Sequence, residues 1–134
     1  MIIKNICPEG QENNSFTPVK KVDLGSCYMI FVYGVQPDKN DTNEAFSDDI
    51  EKQTENVFEN IDSLLKLAGA TMDDVVKAQI FLTDINDLKK VSAIRNKYFS
   101  KSKPVSTLLE VNAMTRKGTK IEIEITAMID KERI

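Results

Sequence analysis

The chain contains no histidine among its 134 residues, and this limits the chemistry that it can perform. Catalysis by Ser–His–Asp or Cys–His groups is therefore excluded, and so is any zinc site built on imidazole. Acid–base chemistry must come from carboxylates, lysine, arginine, tyrosine, hydroxyls, backbone groups or bound water. Cys7 and Cys27 form neither a CxxC pair nor a ligand cluster, and the apolar run beside Cys27 favours a buried thiol. We predict no metal and no cofactor.

Charge and hydropathy limit the partners of the protein. The formal net charge is -3, so no broad basic surface is expected to attract nucleic acid or acidic membranes. The short basic clusters at 20–21 and 101–103 are typical of solvated loops. No apolar stretch approaches the roughly 18 residues that span a bilayer, and residues 1–5 lack the apolar core of a signal peptide. We therefore predict a cytoplasmic protein with neither a membrane nor a nucleic-acid partner.

The first half of the chain predicts strands followed by one clear helix. Residues 1–26 predict one or two short strands, and Cys27–Tyr33 is a β-branched and aromatic run typical of a buried strand. A polar loop is expected over residues 35–46. The helix that follows has Ser47 as its N-cap and Gly69 as its stop. Its apolar face, at helical spacing, consists of Ile50, Thr54, Val57, Phe58, Ile61, Leu64, Leu65 and Leu67.

The second half alternates strands with one more helix. Thr71 caps a short turn into a strand over residues 75–83, and Pro104 precedes another strand over residues 105–111. Between these strands a helix begins near Asn86. One face of this helix carries Leu88, Val91, Ile94, Tyr98 and Phe99.

The last strand, residues 119–129, indicates how the sheet is buried. Its apolar and polar positions alternate, so one side packs inward and the other side keeps mixed chemistry. The inward set is Ile121, Ile123, Ile125 and Ala127, and the outward set is Glu122, Glu124, Thr126 and Met128.

Together these elements predict one α+β domain over residues 1–134, with two helices on one face of a mixed sheet of about six strands. Strands separated by long helices need crossover connections, so part of the sheet must be parallel. The other face is not purely polar, because Tyr28, Ile30 and Val32, or Leu108, would leave apolar area bare there. Homo-oligomerisation through that face is the expected solution.

Several motifs, in order along the chain, resemble the RidA/YjgF family. They are Gln53–Ile61 on the first helix, Leu67–Lys77 (LAGATMDDVVK) after it, and Phe81–Leu88 (FLTDINDL) before the second helix. Tyr98-Phe99, Pro104, Glu110-Val111 and residues 121–124 extend the match, which covers residues 22–129. The resemblance implies a chorismate-mutase-like fold and a barrel-like homotrimer with small-molecule clefts between its subunits. It also implies hydrolysis of reactive enamines and imines to 2-keto acids and ammonia; older family names are translation inhibitor and endoribonuclease.

One departure from the family pattern bears on substrate binding. The family's strand reads Pro-Ala-Arg-Ser, and its arginine holds the substrate carboxylate through a bidentate pair. Here the corresponding segment is residues 104–107, with Ser106 in the place of the arginine. Losing a charge-assisted bidentate contact costs on the order of 2–5 kcal/mol for a carboxylate ligand. The resemblance therefore implies a metabolite-binding protein whose imine deaminase chemistry is altered or lost.

Other family positions are changed as well, and one is retained. The glutamate implied to position the attacking water is kept as Glu122, the candidate catalytic residue. The family's Ser-Gly-Gln becomes Tyr-Gly-Val at residues 33–35, with Gln36 one place later. An asparagine and a tyrosine of the second helix become Ser92 and Arg95. The implied ligand-binding residues, in which Phe16 replaces a tyrosine and Leu108 a cysteine, are Phe16, Tyr33, Gly34, Ser92, Ser106, Thr107 and Leu108.

Three functions remain open. The first is binding of a 2-keto acid or an imine-like metabolite in an intersubunit cleft, with altered chemistry. The second is an active 2-iminobutanoate/2-iminopropanoate deaminase that uses Glu122 and a bound water, with Arg95 or Arg116 supplying the missing cation. The third is a non-catalytic interaction or regulatory protein with a vestigial cleft. Nuclease action is disfavoured by the acidic balance and the lack of histidine. Each named residue also has a purely structural interpretation, in a strand, an interface or a solvated face.

Overall fold

The computed structural model describes residues 2–133 and contains six strands and two α-helices within them. The strands are β1 (Ile3–Ile6), β2 (Val19–Asp23), β3 (Cys27–Val35), β4 (Val75–Leu82), β5 (Val105–Glu110) and β6 (Ile121–Asp130). The helices are α1 (Ile50–Leu67) and α2 (Leu88–Phe99). Short 3-10 turns occupy Met72–Asp74, Ile85–Asp87 and Lys131–Arg133. Each element lies close to its predicted place in the chain.

Within residues 2–133 the strands form one sheet in the order β1-β2-β3-β6-β4-β5, so the last strand lies near its centre. β4 and β5 are parallel, and every other neighbouring pair is antiparallel. A parallel pair needs a crossover, and α2 is part of that connection. The predicted α+β fold, a mixed six-stranded sheet with two helices, is confirmed.

β6 alternates as predicted between a buried and an outward side. Ile121 and Ile123 are fully buried, and they belong to one core with Val57 and Phe58 of α1. Glu124, on the opposite side of the strand, is exposed. A one-residue slip of this strand would exchange the two sides, so the strict alternation fixes its register.

The predicted orientation of β3 is wrong. The apolar run predicts Ile30 and Val32 on the uncovered face, but these side chains are 0% and 2% exposed and lie in the core with α1. Tyr28 and Leu108 also pack against that core rather than facing away from it. Because β3 is apolar at consecutive positions, its sequence does not show which alternate set of side chains is buried.

The uncovered side of the sheet carries exposed apolar side chains, and we call it the open face. Alternation along each strand places these residues on the side away from the helices. Val105 is 70% and Leu109 is 52% exposed, a large amount for aliphatic side chains grouped on one surface. The predicted homotrimer would cover this surface and stays a prediction. Exposed apolar members of the open face are Phe31, Tyr33, Val105, Leu109 and Met128.

Helix α1 begins later than predicted, because Asp49 rather than Ser47 is its N-cap. The Asp49 carboxylate accepts the backbone N–H groups of Glu51 and Lys52 at 2.8 and 3.1 Å. Ser47 Oγ instead accepts the Asp49 N–H at 3.1 Å. A carboxylate both satisfies the free N–H groups and complements the positive end of the helix dipole, which explains why aspartate takes this position.

The buried face of α1 is confirmed except at its last residue. Leu67 is 54% exposed, on the same side of the helix as Asn60. Gly69, at φ 84°, follows the helix end as predicted. Gln53 is fully buried although it is polar, and it donates to the Gly118 carbonyl oxygen at 2.9 Å. The buried amide therefore ties α1 to the loop before β6.

Removal of the N-cap carboxylate should destabilise the protein in a pH-dependent way. We expect Asp49→Ala to lower Tm by a few degrees near neutral pH, and Ser47→Ala to lower it less. The hydrogen bond from the Lys52 N–H is the main reason why the pKa of Asp49 lies below its usual value. A lowered folded-state pKa stabilises the protein above the pKa of unfolded aspartate, about 3.9, and this contribution is lost as pH falls through the folded-state value.

Thermal denaturation of wild type and Asp49→Ala, at neutral pH and at about pH 2.5, measures this effect. The difference in Tm between the two proteins should shrink at acid pH. An equal difference at both pH values would contradict a role for the ionised carboxylate.

None of the described helices combines the length and the apolar character that a bilayer crossing requires. Among residues 2–133, no three His, Cys, Asp or Glu side chains lie together as metal ligands would. The cytoplasmic location and the single-domain organisation stay predictions.

Candidate functional site

Glu122 lies near the start of β6, between β3 and β4, with its side chain half-buried on the open-face side. Gln36 Nε2 donates to Glu122 Oε1 at 2.8 Å and lies 3.0 Å from Thr115 Oγ1. Thr119 Oγ1 donates in turn to Gln36 Oε1 at 3.4 Å. Residues from the loop after β3 and from the loop before β6 therefore hold one carboxylate oxygen in place.

Gly34 makes room for the other carboxylate oxygen. The pairing of β3 with β6 is irregular between Val32 and Val35, so the strand departs from the regular ladder around Gly34. A Cβ atom on residue 34 would lie 2.4 Å from Glu122 Oε2 and 2.8 Å from Glu122 Cδ. Both distances are too short for a carbon atom, so glycine is what allows the carboxylate to rest against the backbone here.

A cleft of about 1070 Å³ is lined by Gly34 and Gln36, the two residues that adjoin Glu122, and we call it the Gly34 cleft. Phe16 and Tyr33 line it with ring centroids 6.2 Å apart. Gln36 and Arg116 line it together with Gly34, and Gln36 joins it to the glutamate. Small-molecule sites in proteins typically enclose roughly 300–1,000 Å³, so the cleft is large enough for a metabolite.

The loop after β3 is tied to α1 by a polar cluster at the edge of the Gly34 cleft. The Asp38 carboxylate accepts hydrogen bonds from Asn56 Nδ2 at 2.8 Å and from Asn60 Nδ2 at 2.9 Å. The Asp38 N–H donates to Asn56 Oδ1 at 2.7 Å. The charge of Asp38 is thus met by two amides of α1 and holds the loop that carries Gln36.

Two further groups in the Gly34 cleft influence each other electrostatically. Arg116 donates a hydrogen bond to the Pro37 carbonyl oxygen. Burial raises the pKa of Tyr33 above its usual value, the Cys7 thiol adds to the rise, and the positive charge of Arg116 opposes it. At neutral pH the Tyr33 hydroxyl therefore stays protonated and can donate a hydrogen bond within the cleft.

The other predicted ligand-binding residues lie elsewhere in the protomer. Ser106 and Arg95 line a second cleft, of about 580 Å³, between α2 and β5. Arg95 Nη2 donates to Ser92 Oγ at 3.2 Å. Thr107 is exposed on the edge strand β5, and Leu108 packs against the core. β4 and β6 separate β5 from β3, so one protomer brings Phe16, Tyr33 and Gly34 to Glu122 but not Ser92, Ser106 or Thr107.

Some residues of the Gly34 cleft could not be identified from the sequence. Thr115 reaches Gln36 only because β3 and β6 fold side by side, and no periodic pattern marks a loop threonine. Gln36 stands one place beyond the expected family position, and the irregularity at Gly34 lets it still reach the glutamate. Of the two candidate cations named from the sequence, Arg116 lines this cleft and Arg95 does not.

Comparison with known proteins gives consistent matches over most of the chain. The family model described as Endoribonuclease L-PSP matches residues 15–129. A RutC family protein of Pyrococcus abyssi is 41% identical over 99 residues, which cover 74% of this chain and 77% of the relative. A 2-iminobutanoate/2-iminopropanoate deaminase of Salmonella typhimurium is 34% identical over 113 residues, which cover 82% of this chain and 85% of the relative.

Solved structures show the same fold. The Rid family protein YyfA from Yersinia pestis superposes with a TM-score of 0.82 at 32% identity and covers 96% of this chain and 100% of its own. TdcF of E. coli, solved with bound serine, superposes with a TM-score of 0.71 at 27% identity, covering 88% of this chain and 91% of its own. The mixed sheet and its two helices are therefore shared with these proteins.

Proposed function

Because the chain belongs to the RidA/YjgF family, whose model matches residues 15–129, we propose that it binds a small metabolite in clefts between the subunits of a homotrimer. Its family-level chemistry is imine deaminase-like. We propose that this chemistry is altered or lost, because Ser106 stands where the family arginine is expected. The observation that carries the proposal is the Glu122 carboxylate, held by Gln36 and set against Gly34 beside the cleft.

The held carboxylate suits a ligand with an N–H group or a bound water. Glu122 Oε1 accepts the Gln36 amide, and an ionised carboxylate retains further acceptor sites on both oxygens. Such a charge-assisted hydrogen bond is stronger than a neutral one. The serine bound in the TdcF structure supports an amino-acid-sized ligand. The ammonium group of such a ligand is the partner that we propose for Glu122.

Ser106 is the reason to expect altered chemistry. A serine hydroxyl offers one donor and no charge, whereas the family arginine offers a planar pair of donors. For a ligand carboxylate at this position the loss is on the order of 2–5 kcal/mol, or a factor of about 30 or more in affinity. Arg95 lines the same cleft as Ser106 and donates one hydrogen bond there, to Ser92 Oγ.

The separation of the two groups of residues supports the homotrimer. In one protomer the Gly34 cleft and the edge strand β5 lie apart, with β6 and β4 between β3 and β5. A neighbouring copy placed on the open face would bring its β5 towards the Gly34 cleft. The exposed Val105 and Leu109 on β5 supply apolar area for this contact.

The second candidate function is hydrolysis of 2-iminobutanoate or 2-iminopropanoate, and the Glu122 carboxylate held by Gln36 favours it. Glu122 would take a proton from a water molecule as the water oxygen bonds to the imine carbon. Glu122 would pass that proton to the imine nitrogen, which gives a neutral carbinolamine. The carbon–nitrogen bond would then break as the carbinolamine hydroxyl proton moves, through Glu122, to the nitrogen, so that ammonia leaves and the carbonyl group of a 2-keto acid forms. The third candidate is an interaction or regulatory protein whose cleft binds nothing.

Glu122→Gln keeps the shape of the side chain and removes its charge. We expect this change to weaken serine binding about tenfold or more, since a hydrogen bond to a charged group contributes about 1.5–3 kcal/mol. Isothermal titration calorimetry measures the two dissociation constants. Glu124→Gln is the matched control, because Glu124 lies on the same side of β6 and is exposed. This control should bind serine as the wild type does.

Two results would change the assignment. If neither serine nor 2-oxobutanoate binds or thermally stabilises the wild type, the metabolite-binding proposal fails and the interaction protein is favoured. Wild-type kcat/KM for 2-iminobutanoate, generated in situ by a dehydratase, decides between binding and catalysis. A value equal to that of the Salmonella relative, reduced about 100-fold or more in Glu122→Gln, would overturn the proposal of altered chemistry.

A further inference from the structure

We propose that Arg116 binds the carboxylate of the ligand in the Gly34 cleft and so selects an anionic over a neutral metabolite. This inference rests on the proposed function, because it concerns the ligand of the same cleft. Arg116 lines the cleft together with Tyr33, Gly34 and Gln36, in the same protomer as Glu122. Arg116 therefore lies in the Gly34 cleft, whereas Ser106, which stands in the place of the family arginine, lies in the second cleft of the same protomer.

The guanidinium of Arg116 is half-buried and has donors to spare. Among the residues whose side chains are described, Arg116 takes part in no ion pair within 4 Å. It donates to the Pro37 carbonyl oxygen, and a guanidinium carries five N–H donors in a planar fork. The remaining donors suit a carboxylate, which accepts two parallel hydrogen bonds from such a fork.

The backbone holds Arg116 in position over the cleft. The Thr119 N–H donates to the Arg116 carbonyl oxygen at 3.2 Å, which closes a turn that contains Gly118 at φ 82°. The Ala45 N–H donates to the Lys117 carbonyl oxygen at 2.9 Å and fastens this turn to the neighbouring loop. A side chain on a fixed turn loses less conformational entropy when it binds a ligand.

The other charged residues of the protein are less suited to this role. Asp38 lies in the same cleft, but its carboxylate is directed to Asn56 and Asn60, so it does not neutralise Arg116. Lys39 lines the cleft as an exposed side chain, where solvent and salt screen its charge. Arg95 belongs to the second cleft, on the far side of β4 and β6 from β3.

The chemistry of the neighbouring groups indicates the class of ligand. A ligand whose carboxylate binds Arg116 would share the cleft with Gln36, which donates to Glu122. The Glu122 carboxylate can accept a further hydrogen bond from an amine, an imine or a water. The Tyr33 hydroxyl is a further donor beside Arg116. The class that matches all of these groups is a 2-amino, 2-imino or 2-oxo carboxylic acid.

The test compares an acid with its neutral amide. The dissociation constants of 2-oxobutanoate and 2-oxobutanamide are measured by calorimetry on wild type, Arg116→Gln, Arg116→Lys and Lys117→Gln. We expect Arg116→Gln to weaken 2-oxobutanoate binding about 10- to 100-fold and to leave amide binding within about threefold of wild type. Arg116→Lys should retain part of the affinity for the acid, because it keeps the charge without the fork. Lys117→Gln removes an exposed charge of the same turn and should change neither constant.

Each result is decisive once thermal denaturation shows that the variants are folded. The inference is supported if Arg116→Gln loses affinity for 2-oxobutanoate but not for 2-oxobutanamide, and if Arg116→Lys recovers part of the lost affinity. Unchanged acid binding in Arg116→Gln overturns it, and loss of acid binding in Arg95→Gln alone overturns it in favour of the second cleft. In both of these cases the proposed function survives, because the wild type still binds the acid. Wild type that binds neither compound overturns the proposed function and this inference together.

Discussion

Gly34→Ala should weaken ligand binding about tenfold or more while leaving the protein folded. The added Cβ would lie 2.4 Å from Glu122 Oε2, so the carboxylate has to move away from the backbone and from Gln36. The clashing atoms are the end of a flexible side chain, so the fold adjusts at a loss within the usual range for overpacking, about 1–3 kcal/mol. Serine binding should fall at least as far as in Glu122→Gln, about tenfold or more, since the carboxylate is misplaced rather than neutralised.

Calorimetry for serine and thermal denaturation measure the two parts of this prediction. The double variant Gly34→Ala/Glu122→Ala removes the clash as well as the carboxylate, so its Tm should recover part of the loss while serine binding stays weak. Gly34→Ala that binds serine like the wild type would contradict the role given to the close approach. If Gly34→Ala does not fold, the double variant still tests the clash, because it lacks the Glu122 carboxylate and should fold.

Phe31→Asp should dissociate the proposed homotrimer into monomers. Phe31 is an aromatic side chain of the open face, 42% exposed in one protomer, and its register partners across the sheet are Lys20 and Thr126. In the trimer the new carboxylate would be covered by a neighbouring subunit, and an unpaired buried charge costs several kcal/mol in each of three equivalent positions. Light scattering should then report 15.1 kDa instead of three times that mass.

Leu88→Asp is the matched control for this change. Leu88 is 40% exposed, close to the value for Phe31, but it lies at the start of α2 on the helix side of the sheet. An aspartate at a helix N-terminus is well tolerated, so this variant should remain a trimer. Dissociation of both variants would mean that the open face is not the surface that holds the subunits together, and a monomeric wild type would overturn the trimer itself.

Sequence patterns predicted the fold where a strand or helix has only one possible buried side. β6 has isoleucine at alternate positions and polar residues between them, and its orientation is confirmed. β3 has apolar residues on both sides, so only the packing of α1 and the pairing with β6 decide that Ile30 is buried and Phe31 exposed. The choice of Asp49 over Ser47 as N-cap likewise depends on where the helix can start against the sheet.

The candidate site was predictable in its central residue but not in its surroundings. Glu122 and Gly34 were named through the family resemblance, but their close approach was not predicted. A Cβ atom built on Gly34 would lie 2.4 Å from Glu122 Oε2. This approach occurs where the pairing of β3 with β6 is irregular, and no residue type in the sequence indicates that irregularity. Thr115 and Arg116 lie in a loop, where neither periodicity nor spacing indicates a neighbour. Their positions follow from the strand order, which places the loop before β6 next to the end of β3.

The strand order also has a consequence for synthesis of the protein on the ribosome. β6 comes last along the chain but lies between β3 and β4, so it joins a three-stranded part of the sheet to a two-stranded part. Until residues 121–130 have emerged, Ile30 on one part and Ile80 on the other lack the strand that lies between them. Until then the chain exposes two incomplete apolar surfaces, the kind of surface that makes partly folded chains prone to aggregate.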